Sequence, residues 1–118
     1  MKIKNILAAV VFIFISASPV FAASKLEHYI FKYSDYSFDV KLTDNSITWK
    51  ALDGSSKGQI ETDYISRKRL SNHTEVIQWT ENDGTFVTVI FDRHHHKVIS
   101  SGRDSSGSWL WSGKVEEV

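Results

Sequence analysis

A chain of 118 residues with 14 Lys+Arg, 14 Asp+Glu and no cysteine is too short for two sizeable domains and has no disulfide to staple a small one. Its balanced charge excludes the basic excess that nucleic-acid or anionic-membrane binding requires. Stability must come from strand pairing and an apolar core.

The chain opens on a basic head, Met1-Lys2-Ile3-Lys4-Asn5, followed by an apolar run from Ile6 to Ile15 and then Ser16-Ala17-Ser18-Pro19-Val20-Phe21-Ala22-Ala23. A basic head, about ten apolar residues and a small-residue cleavage site compose a secretory signal peptide. Pro19 ends the helix ahead of the cut, and Val20 and Ala22 occupy the recognition positions, so cleavage is expected after Ala22, with Ala23 as second choice. The run is shorter than the ~20 apolar residues of a membrane span, and no cysteine follows it to accept a lipid. Residues 1–22 are thus assigned to a leader and 23–118 to one mature domain. Lys2 and Lys4 leave with the leader, so Lys+Arg falls from 14 to 12 against 14 Asp+Glu, a net charge near −2. The expected location is periplasmic or secreted. The lack of cysteine favours a bacterial host, and the sequon Asn72-His73-Thr74 matters only in a eukaryotic one.

Beyond the leader, short apolar alternations are broken by turn residues every eight to twelve positions, the spacing of an all-β sandwich or barrel. Glu27, Tyr29, Phe31 and Tyr33 share the face of a first strand. Tyr36, Phe38, Val40 and Leu42 share the face of a second, with Ser37, Asp39 and Lys41 outward. Thr43-Asp44-Asn45-Ser46 turns the chain into a strand with Ile47, Trp49 and Ala51 inward, and Asp53–Gly58 forms a loop. Gln59–Leu70 reads as one or two strands of weaker pattern, and the triplet Arg67-Lys68-Arg69 within it reads as a solvated strand end. Val76–Thr80 and Thr85–Phe91 flank Glu81-Asn82-Asp83-Gly84, a hairpin whose Asp-Gly supplies the positive φ. Lys97–Ser101 and Ser108–Val115 complete about eight strands. Short connections imply antiparallel, up-and-down order, and closure into a small lipocalin- or calycin-like barrel removes the two free edges. Such a barrel holds side chains or one small ligand.

Ile77, Trp79 and Glu81 fall on one face, with Glu75 in the same register, which aims Glu81 at the interior or the rim. A carboxylate beside apolar walls has a raised pKa and can serve as acid, base or ligand anchor; alternatively Glu81 opens the turn and sits in water. His94 and His96 have the spacing of two imidazole ligands on one strand face. They lie where a polar turn is expected and lack a matching third ligand, so no metal or other cofactor is assigned. Most of the aromatics belong to the core, yet so many Trp and Tyr could also wall a pocket for a flat apolar ligand.

The segment Trp79-Thr80-Glu81-Asn82-Asp83-Gly84-Thr85-Phe86-Val87 resembles the Trp-Thr-Glu-x-x-Gly-Thr-x-Val hairpin of calycin-type barrels that include MoaF-like proteins and phenolic acid decarboxylases. The order of strands from Tyr29 to Trp49, with Ile47-Thr48-Trp49, and the Ser56-Lys57-Gly58 loop fit the same pattern. The resemblance implies a calycin barrel with Glu81 facing its interior. In the decarboxylases two tyrosines, an arginine and this glutamate form the site. Carried over, Glu81 and Tyr33 hold two of those positions, while Phe31 stands at the first tyrosine position and Gln59 at or near the arginine position. The groups that would grip a substrate carboxylate are therefore replaced.

The expectation is a non-enzymatic exported barrel that binds a small ligand through Tyr33, Trp49, Gln59, Trp79 and Glu81, with no nucleic-acid partner and no membrane span after leader removal. Two alternatives remain: a lyase or isomerase for a small phenolic or carbonyl compound, with Glu81 as acid/base and Tyr33 as donor, and an interaction or inhibitor module with a filled core.

Overall fold

A computed structural model describes residues 25–118; the expected leader falls outside the described residues. These form nine strands: β1 (Glu27–Tyr33), β2 (Ser37–Leu42), β3 (Ser46–Ala51), β4 (Ile60–Tyr64), β5 (Ser66–Arg69), β6 (Thr74–Thr80), β7 (Phe86–Asp92), β8 (Lys97–Asp104) and β9 (Gly107–Glu117). All belong to one antiparallel sheet ordered β4-β3-β2-β1-β9-β8-β7-β6-β5. The first strand pairs with the last, Phe31 opposite Val115. The two strands at the ends of that order are separated in sequence by Ile65 alone. One bent segment therefore borders both free ends of the sheet, and the result is a nearly closed up-and-down barrel. Its bend is fixed by the Ile65 N–H, which donates to the Asn45 carbonyl at 3.0 Å. The weakly patterned stretch from Gln59 to Leu70 is thus two short strands, each pairing on one side only.

Alternation along the strands turns one set of side chains inward. Tyr29, Phe31, Val40, Leu42, Ile47, Ile77, Val89, Phe91 and Val98 fill the middle of the barrel. Tyr29 meets Phe91 edge-on at 4.9 Å between ring centroids, a favoured aromatic geometry.

Below this core the interior is ionic. Arg67 donates to both oxygens of Glu75, at 2.7 and 3.0 Å, to Glu27 at 3.1 Å and to the Thr43 carbonyl at 2.8 Å. Arg93 donates to Glu75 at 2.8 Å and to Glu27 at 2.7 Å. The Tyr29 hydroxyl donates to Glu27 at 2.7 Å. Burial pushes the Glu27 and Glu75 carboxyls up, but the hydrogen bonds and charges of the two arginines outweigh it and hold both below the usual range. Arg67 is therefore no solvated strand end. Its side chain is only 15% exposed and helps plug one mouth of the barrel with two cations facing two anions.

Candidate functional site

The opposite mouth is not plugged. Above the core lies a cavity of about 350 Å³, within the ~300–1,000 Å³ of small-ligand pockets. All five residues expected to touch a ligand line it: Tyr33 from β1, Trp49 from β3, Gln59 just ahead of β4, Trp79 from β6 and Glu81 just beyond it. Phe38, Val87 and Ser100 add to the walls, and Asp53, Ser55 and Ser56 reach it from the loop after β3.

The hairpin that carries Glu81 explains its position. The Glu81 N–H donates to the Thr85 carbonyl at 2.8 Å, and the Gly84 N–H donates back to the Glu81 carbonyl at 2.9 Å. Gly84 has φ of 92°, the left-handed conformation that closes such a loop as a glycine bulge. Asp83 is not in that region; its carboxylate instead accepts the Thr85 N–H at 2.9 Å. The loop therefore continues the inward register of Ile77 and Trp79 by one more residue. Glu81 is half-buried and accepts one hydrogen bond, from the Trp79 indole N–H at 3.2 Å.

A second carboxylate is tied to the wall in the same way: the Trp49 indole N–H donates to Asp63 at 3.2 Å. Asp63 and its neighbour Glu61 point inward from β4, and Glu61 accepts the Asn82 N–H at 2.9 Å across the seam between β4 and the β6–β7 hairpin. Burial, opposed by the Trp79 hydrogen bond and reinforced by the charges of Glu61, Asp83 and Asp63, pushes the Glu81 carboxyl up to about 7. Burial and the Glu61 carboxylate push Asp63 up to about 6.

Glu61 and Asp63 are not among the residues that sequence reading selects. Their strand is inverted: Ile60 and Tyr64 point outward, 62% and 87% exposed, while Asp63 is buried. A reading that equates the apolar face with the interior therefore turns this strand the wrong way. The only sequence signal is that the Glu61/Asp63 pair alternates with period two.

Tyr33 is half-buried and hydrogen-bonded to the Ser100 hydroxyl, and desolvation pushes its phenol up to about 12. The remaining wall is aromatic. Trp109 and Trp111 stack at 4.3 Å between centroids, and Tyr36 stacks on Trp111 at 4.9 Å. Trp109 lies inside because β8 has a glycine opposite it: a Cβ on Gly102 would stand 1.9 Å from the indole.

The three histidines lie elsewhere. Residues 93–96 form the β7–β8 turn, His96 adopts φ of 54° and His95 bonds Asp92 at 2.9 Å. The strand-like alternation that would place His94 and His96 on one face is thus absent there. Among the described residues, no group of three or more His, Cys, Asp or Glu side chains is arranged to hold a metal ion.

Comparison with known proteins agrees with this architecture. The family model described as MoaF-like matches residues 27–115. Among solved structures, a protein from Burkholderia vietnamiensis described as a "putative beta-lactamase" superposes with a TM-score of 0.74 at 16% identity, covering 78% of this chain and 92% of its own. No curated protein matches the chain in sequence.

Proposed function

The chain belongs to the MoaF-like family, and from that premise we propose that it is an exported barrel that binds a small molecule in its interior without transforming it. The observation that carries this reading is the cavity of about 350 Å³. It couples apolar aromatic walls to a few convergent polar groups, the usual composition of a small-molecule site. Tyr33, Gln59 and Glu81 supply polar contacts, while Trp49 and Trp79 enclose an apolar body. Open interior space at this mouth also counts against a filled-core interaction module. Export rests on the basic head, apolar run and Ala22 cleavage site. Intact mass of the protein recovered from a bacterial periplasm should correspond to a chain beginning at Ala23; retention of Met1 on a membrane-bound chain refutes it.

Native mass spectrometry of the protein purified from its own host tests the binding reading directly. Adducts of one defined small mass, released by denaturation, are expected. A bare chain whose tryptophan emission responds to no small-molecule probe contradicts it.

One observation favours a second reading. A carboxyl that titrates near neutrality beside a cavity, as Glu81 does, suits general acid/base work, and a lyase or isomerase would use Glu81 as the base and Tyr33 as the donor. That reading requires turnover that vanishes in Glu81→Gln while the fold persists. The activity named for the Burkholderia vietnamiensis protein is not adopted, because likeness at 16% identity reaches the fold alone.

A further inference from the structure

The charge of the cavity lining is one-sided. Asp53, Glu81 and Asp83 line it, and no lysine, arginine or histidine does so among the described residues. Lys57 lies in the same loop as Ser55 and Ser56 but is exposed and outside the lining. At the other mouth the carboxylates are compensated: Glu27 and Glu75 each receive two arginines. Two of the three lining acids are held by backbone, Asp53 by the Ser37 N–H at 2.9 Å and Asp83 by the Thr85 N–H. Glu81 receives only an indole N–H, on one of its two oxygens. Among the described residues no cation pairs with it. A half-buried carboxylate without a cation is costly to ionise, and a ligand that brings a positive charge against it relieves that cost.

The walls around it suit the same visitor. Indole faces attract cations through their quadrupole, tryptophan most strongly of the aromatics. Trp49, Trp79, Trp109 and Trp111 all line this cavity.

Resting on the interior-binding reading above, we propose that the ligand is an organic cation, an amine or ammonium group on an apolar body, with its charge against Glu81 and its body among the four tryptophans. The cavity, walls and charge are separate observations that agree on this class. An acidic ligand is disfavoured by three lining carboxylates with no compensating base.

Three probes with one skeleton test it: phenylpropylamine, phenylpropanol and phenylpropanoate, titrated into the mature chain with tryptophan fluorescence and calorimetry as readouts. The amine should bind, the alcohol about tenfold more weakly, and the acid not at all, since a desolvated charge-assisted contact is worth about one decade or more of affinity. Glu81→Gln should remove most of the amine's advantage over the alcohol; the three-probe comparison on the unaltered chain stands whether or not that variant folds. If the alcohol or the acid binds as tightly as the amine, the cation proposal is wrong and interior binding survives. If none of the three saturates and the host-purified protein carries no adduct, interior binding itself is wrong.

Discussion

Glu81 sets the pH behaviour of the site. Burial raises its carboxyl from 4.5 to about 7, with the Trp79 hydrogen bond opposing and Glu61, Asp83 and Asp63 adding to the rise. The groups facing it from β4 and the hairpin are thus all acidic, and Tyr33 from β1, pushed up to about 12, stays neutral. Two consequences follow with definite sign. Affinity for a cation should climb as pH rises through about 7 and level off above it, because only the carboxylate attracts the charge; the neutral alcohol should show a flat profile over the same range. Stability runs the other way. Between about pH 4.5 and 7 the folded protein holds this proton more tightly than the unfolded chain, so unfolding becomes easier as pH rises across that window. Discounted for the solvent that still reaches the group, the loss should be roughly 1 kcal/mol. Denaturant melts at pH 5 and 8 should show it in the parent and a smaller loss in Glu81→Gln, where only Asp63, pushed up to about 6, still contributes; the variant should be the more stable of the two at pH 8. Equal slopes in both proteins would place the titration elsewhere. Tyr33→Phe addresses the neighbouring bond. It strands the Ser100 hydroxyl, 3% exposed, and should cost about 1–2 kcal/mol in the same melts at any pH below 10.

Strand by strand, legibility followed the hydrophobic alternation. In β1, β2, β3 and β6 apolar residues face inward, so the sequence pattern placed Tyr33, Trp49 and Trp79 on the interior. It left Glu81 between interior and turn, and the family resemblance pointed it inward; all four line one cavity. In β4 and β5 it failed for one physical reason: the polar residues face in. Glu61 and Asp63 meet the indoles and hairpin of the open mouth, and Arg67 meets Glu27 and Glu75 at the closed one. No period-two rule can separate an inward charge from an outward one until its partner is known, and these partners lie on other strands. The register of β5 thus depends on its buried ion pairs. Glu75→Ala should destabilise by about 3–5 kcal/mol, because it leaves two arginines facing one carboxylate in a desolvated site. Glu75→Met combined with Arg67→Met should cost clearly less than Glu75→Ala alone, since both unpaired charges then disappear. A double variant as unstable as the sum of its parts would mean the plug is not a coupled unit. β8 offers a contrasting case, where the shape of the cavity hangs on a missing side chain. Gly102→Ala places a Cβ within the Trp109 indole, and the ring has to leave. About 1–3 kcal/mol of stability, together with the amine affinity, should go with it, and both are readable from one thermal-shift series with and without ligand.

Taken as a whole molecule, the barrel has a polar lock at one mouth, an aromatic core in the middle and an aromatic, acidic opening at the other. The seam decides how that opening can breathe. β5 reaches β6 only as far as Ser66 opposite Gln78, while β4 pairs only with β3. Trp79 and Thr80 are therefore paired on the β7 side alone, across a gap from β4 that is bridged by the Asn82 N–H to the Glu61 carboxylate. A sheet edge with few backbone bonds opens locally at low free energy, and this edge borders the cavity, since Trp79 and Glu81 line it. The seam is accordingly the element through which a ligand too large for the static mouth would pass. Hydrogen exchange should show it: amides of β4 and of Trp79–Asn82 should exchange faster than those of β1 and β9, which are paired on both sides. Saturating amine should slow the seam selectively, because a ligand between Trp49 and Trp79 ties β3 to β6 across the gap. Glu61→Gln weakens the bridge without touching the lining, so it should speed both exchange at the seam and ligand association while leaving the closed mouth protected. Uniform protection around the barrel, unchanged by ligand, would mean that the aromatic mouth alone admits what the cavity holds.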